Sequence, residues 1–157
     1  MEINKEKKDM KKYTKNIIIV LVLLLLMFSI SIPIVNNISA YLVASELKEI
    51  PLPERTEYID SVSKAAKMTG NGNGMQYMGA ILVESELSLK ELDEYFADYR
   101  TEEWECIVEA QEGQNVNCVE HGTLSFDEKM SSDKQYYIVY SWGSGIEPFS
   151  ELDIRGH

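Results

Sequence analysis

The chain has 157 residues with 15 basic and 26 acidic side chains, a formal net charge of −11. That length gives one domain of ordinary size, and the charge excludes a nucleic-acid binder that works by a basic surface. Two cysteines are too few for a disulfide scaffold, and no repeat or low-complexity tract suggests a solenoid or a disordered chain.

The charge is unevenly spread. Residues 1–16 carry six lysines, at positions 5, 7, 8, 11, 12 and 15. Beyond residue 16 there are 9 basic and 23 acidic residues, a net of −14. Between the two regions lies "IIIVLVLLLLMFSISIPIV", residues Ile17–Val35, which holds 19 residues and no charge. A helix of that length rises about 28 Å, close to the ~30 Å hydrocarbon layer of a bilayer. A core helix apolar on every face is out of place in so small a protein. The expected organisation is a basic cytoplasmic tail at 1–16, a transmembrane helix at 17–38, a linker at 39–54 and an extracytoplasmic domain at 55–157. The lipid bilayer is then the partner of residues 17–38. The lysines set the orientation, N-terminus inside and C-terminal domain outside the cell membrane.

A signal peptide is the competing reading. "ISA" at Ile38–Ala40 is a weak cleavage site, and cleavage there would release a secreted protein. The apolar run is longer than the ~7–15 residues of a signal h-region, which favours an uncleaved anchor. A lipobox cysteine, a prepilin-type processing site and a sortase motif are all missing.

In the linker, Pro51 and Pro53 force extended backbone, although the helix has the composition to continue through Leu47. "TEYIDSVSKAAKM" (Thr56–Met68) is ambiguous. Tyr58, Val62, Ala65 and Ala66 line one helical face, yet the stretch opens with strand formers after a proline segment, and a strand is favoured. "TGNGNG" (Thr69–Gly74) then reverses the chain, because Gly and Asn accept positive φ most readily. It is no phosphate loop. Met75 stands where a third glycine is needed, Ala80 and Ile81 stand where Lys and Ser or Thr are needed, and a strand follows instead of a helix. That strand, Met75–Val83, is apolar on both faces and belongs at the centre of a sheet.

"LSLKELDEYFADY" is an amphipathic helix. Ser88 and Glu91 have capping-box spacing, Leu87 and Leu92 have staple spacing, and Leu89, Leu92, Phe96 and Tyr99 share one face. Its carboxylates belong to a solvated face. Next, "WECIVEA" alternates, with Trp104, Cys106, Val108 and Ala110 on one side. Gly113 closes a three-residue hairpin turn, whose register sets Cys106 opposite Cys118. Opposed residues in an antiparallel pair have Cα atoms about 4.5 Å apart, within disulfide reach, and an outside location allows oxidation. A Cys106–Cys118 disulfide is therefore expected. Two buried thiols are one alternative. A zinc site with His121 is another, short of a fourth ligand. Thr123–Phe126 is a short strand, and Gln135–Trp142 a strong one with Tyr136, Ile138, Tyr140 and Trp142 on one face.

The expected fold is α+β: a transmembrane helix followed by an antiparallel sheet of about five strands with one packed helix. No catalytic, metal or cofactor residues are assigned. The G-x-S-x-G elbow is missing around Ser144, the calcium-loop pattern is missing, and the only histidines are His121 and His157. The reading is a non-catalytic binding or assembly module of the cell envelope, with an envelope protein or ligand as partner and no nucleic acid. The alternative is a membrane-anchored hydrolase that assembles His121, Asp153 and a serine in space.

Overall fold

The computed structural model describes the backbone of residues 2–102 and 104–157, and side chains from residue 10 onward. Lys5, Lys7 and Lys8 of the basic tail lie outside the described side chains. The first element, α1, is one α-helix from Glu2 to Glu49 with Pro33 inside it. It is long and apolar enough to cross a membrane, and side chains 17–28 are all exposed, with the Phe28 ring 5.8 Å from that of Phe149.

The character of α1 changes after Pro33. Asn36, Ser39, Ala40, Val43, Ala44 and Leu47 are buried, while Asn37, Ile38, Tyr41 and Leu42 are exposed. Spacings of three and four make this one helical stripe. The stripe lies on the sheet, so residues 36–47 continue the helix as part of the domain core.

Behind α1 come β1 (Thr56–Ala66), β2 (Gln76–Ser85), α2 (Leu89–Ala97), β3 (Ile107–Ala110), β4 (Tyr136–Gly143) and α3 (Phe149–Leu152), closing on a 3-10 turn at Ile154–Gly156. Residues 56–66 are thus strand, not helix. The sheet has the order β1-β2-β4-β3, with each neighbouring pair antiparallel. β2 is central, as its two apolar faces require.

The sheet buries both faces. Ile81, Val83, Tyr137, Val139 and Val108 pack with Leu47 of α1 and with Leu92 and Phe96 of α2. Met78, Ala80, Leu82, Ile138 and Tyr140 pack on the other face with Met68, Val116 and Phe126. α2 carries the expected cap: Glu91 N–H donates to Ser88 Oγ, and the Ser88 N–H donates to Glu91 Oε2 at 2.8 Å.

α1 meets the sheet at very short range. A Cβ at Gly79 would land on the Ala44 backbone nitrogen and lie 2.6 Å from the Val43 carbonyl carbon. Only glycine on β2 and small residues on α1 let the two backbones come this close.

Two expectations are corrected. Among the described residues the strands number four, not about five. Residues 111–135 form no strand; Thr123–Phe126 contributes a single bridge, Asn115↔Ser125. Gly113 does take the positive φ of a turn, +76°, yet the chain does not return along β3. β3 pairs with β4 instead, Val108 opposite Val139, so the register that opposed the cysteines never forms. Cys106 and Cys118 are both free. Cys106 is buried on the helix-covered face, whereas Cys118 packs against the opposite face. The sheet stands between them. Burial pushes both thiols up to about 11, which keeps them protonated at neutral pH.

Candidate functional site

A buried polar cluster lies where the apolar run of α1 ends. Asn36 comes from α1, Tyr77 from the start of β2, and Asp153 and Arg155 from the C-terminal turn. Asn36, Tyr77 and Asp153 are buried, and Arg155 is half-buried. Tyr77 Oη donates to Asn36 Oδ1 at 2.8 Å. Asn36 Nδ2 donates to Asp153 Oδ2 at 2.8 Å and to the Phe149 carbonyl at 2.9 Å. Arg155 grips Asp153 with both prongs, Nε to Oδ1 at 2.9 Å and Nη2 to Oδ2 at 2.7 Å. Its Nη1 reaches Asn37 Oδ1 at 2.8 Å and its Nη2 the Pro33 carbonyl at 3.4 Å.

Bidentate Arg–carboxylate geometry is the strong form of a charge-assisted hydrogen bond. The Arg155 guanidinium, helped by Asn36, holds the Asp153 carboxyl well below the usual carboxylate range against the opposing effect of burial. Asp153 in turn raises Arg155. Burial, then the Asp153 charge, push Tyr77 up, so its phenol stays neutral and donates. Every polar side-chain atom here has a partner, so the cluster fastens the C-terminal segment to α1 and offers no free nucleophile or base.

Glycines close the same region. A Cβ at Gly145 would strike the Tyr77 phenol, and one at Gly143 would strike Val43. The "GSG" around Ser144 thus serves close packing. The Thr69–Gly79 stretch is nearby. Gly70 takes φ +68° and Gly74 φ +142°. The Gln76 amide accepts from the Met68 and Thr69 N–H groups at 2.6 and 2.8 Å, and Gly74 N–H donates to the Gly156 carbonyl at 2.7 Å. The loop ties the β1–β2 hairpin to the C-terminus.

The residues weighed for catalysis are committed elsewhere. His121 Nε2 shares a hydrogen bond of 2.8 Å with the Gly70 carbonyl, His157 one of 3.3 Å with the Glu151 carbonyl, and Asp153 belongs to the clamp. No hydrogen bond among the described residues joins either histidine to a carboxylate or hydroxyl. Among them, no group of three His, Cys, Asp or Glu is placed to hold a metal. Tyr137 and Tyr140 are buried, and Tyr136 and Trp142 are half-buried against the core.

Comparison of the chain with protein-family models, with curated proteins and with solved structures returns no match.

A second polar feature lies at the opposite end of the sheet. An open groove of about 540 Å³ is bordered by Arg55, Glu57, Glu84, Glu86, Asp133 and Lys134. Lys134 Nζ donates to Glu84 Oε2 at 2.8 Å, which raises the lysine. The Ser131 hydroxyl lowers Asp133. Four carboxylates face two cations here, so the groove is net acidic.

Sequence reasoning passed over Asn36, Tyr77 and Arg155, and met Asp153 only as a triad member. The available signal was the amide pair Asn36–Asn37 straight after the apolar run, a position where a polar side chain needs a partner.

Proposed function

We propose that the protein is a single-pass membrane-anchored module whose acidic outer domain binds or assembles other envelope components without catalysis. The bilayer would take residues 17–38, residues 1–16 would stay in the cytoplasm, and the sheet domain would stand outside. The observation that carries this reading is the mounting. α1 enters the core of the domain without a break, and the Gly79 contact and the Asp153 clamp fasten the sheet to it. A domain held this stiffly presents a surface at a fixed height and angle, which suits a scaffold. The net charge of −14 beyond residue 16 and the acidic groove favour a cationic partner surface.

The test is photo-crosslinking from Asp133 in native membranes of cells making the full chain. The expected result is a discrete adduct that a Glu57→Lys, Glu86→Lys double variant loses and a control label at Lys90 does not form. No adduct from any exposed position, with full fitness after deletion of residues 55–157, overturns the reading. A C-terminal reporter active only outside the cytoplasm checks the orientation.

A further inference from the structure

The C-terminal segment carries apolar side chains that the fold does not cover. Ile146 is 57%, Leu152 48% and Ile154 85% exposed. The ring of Phe149, in the same segment, lies 5.8 Å from the ring of Phe28. Phe28 is inside the uncharged run and precedes its last residue, Val35, by seven positions. At 1.5 Å per residue that is about 10 Å along the helix axis, measured back from the end of the run. Phe149 therefore lies alongside the apolar part of α1, not above it.

A short, broken helical segment tolerates that depth only if its polar groups are satisfied internally. Here many are. Ser150 N–H donates to the Ile146 carbonyl, Leu152 N–H to Pro148, Gly156 N–H to Asp153 and His157 N–H to Ile154. Lys67 N–H takes up the Arg155 carbonyl, and Asn36 takes up the Phe149 carbonyl. The charge in the segment's interior, Asp153, is buried and paired with Arg155, the form in which a carboxylate persists near hydrocarbon. Glu147 and Glu151 are exposed, so attraction to anionic headgroups is not the driving term; apolar contact is.

We infer that residues Phe149–Ile154 form a wedge seated in the lipid interface beside α1, with Leu152 and Ile154 in contact with lipid. The occupant of this apolar face is the bilayer, because the face is continuous with the run that spans it. The inference rests on α1 being the membrane span. Its consequence is a second attachment that fixes the rotation of the domain about α1, which a lone helix does not fix.

The experiment places an azido-phenylalanine, clicked to a fluorophore, at Ile154, at Leu25 or at Glu94 of the full chain. Each protein is reconstituted in phosphatidylcholine nanodiscs with nitroxide lipids labelled at the headgroup or deep in the acyl chain. Position 154 should lose most of its fluorescence to the headgroup nitroxide, position 25 to the deep nitroxide, and position 94 neither. If position 25 is quenched but 154 is as bright as 94, the wedge is wrong and the span stands. If 154 escapes lipid quenching and is also shielded from aqueous iodide, a second copy of the chain covers the face, and the wedge is again wrong. If position 25 is not quenched, the span and the wedge fall together.

Discussion

The two faces of the sheet are covered by different kinds of chain. One carries α1 and α2, regular elements that bury Leu47, Leu92 and Phe96. The other carries residues 111–135, which have no strand or helix and bury Val116 and Phe126. The irregular cover is held by scattered polar ties. Gln111 Nε2 donates to the carbonyls of Gly113 and Asn115 at 2.8 and 2.6 Å. Asp60 Oδ2 on β1 accepts from the Asp127 N–H at 2.8 Å, and Gln114 Nε2 donates to the Phe126 carbonyl at 3.1 Å. A core needs apolar volume and satisfied backbone on both sides, but not regular structure on both.

A large effect should come from the helix-covered face. Gly79→Val puts a side chain into the α1 backbone and forces the helix off the sheet. A loss of about 3 kcal/mol or more is expected, read as a lower urea midpoint of the full chain in detergent. A change below about 1 kcal/mol would mean that α1 is not seated as described.

A matched pair compares the two covers directly. Phe96→Ala and Phe126→Ala each remove a fully buried ring, one per face. Both should cost about 3–5 kcal/mol. If Phe126→Ala costs far less than Phe96→Ala, the irregular cover is looser than its burial implies, and the equivalence of the faces breaks.

The smallest effect concerns the clamp. Asp153 has a folded pKa below its unfolded value, so its contribution is full above the unfolded value near ~4 and is lost as pH falls from there toward the folded one. Asp153→Asn should cost about 2 kcal/mol at neutral pH, and it should flatten the fall in stability between pH 5 and pH 3. Denaturation midpoints across that range check both. An unchanged acid slope would remove the clamp from the account.

The same contrast explains what the sequence reveals. α2 is legible because cap, staple and period agree within 13 residues. β2 and β4 are legible because apolar and aromatic runs of that length have few other uses. The second half of α1 is harder to read, since its buried stripe is Asn36, Ser39, Ala40, Val43, Ala44 and Leu47. Small and polar residues give little apolar periodicity; they are there for close approach to Gly79 and for the clamp. The cysteine pairing failed because it rested on local register, whereas β3 chose a partner about thirty residues away. The clamp joins Asn36 to Asp153 across 117 positions, and nothing local at either end announces the other. Its residues are ordinary in type, and only their meeting in space gives them a role.

The central claim is that α1 runs as one element from the apolar segment into the core of the domain. Amide hydrogen exchange of residues 38–48, measured on the full chain in nanodiscs, tests it most directly. Protection as slow as that of β2 residues 78–83 is predicted, because both segments open only when the sheet core opens. Exchange at the rate of an exposed, unpacked helix, with β2 still protected, would contradict it.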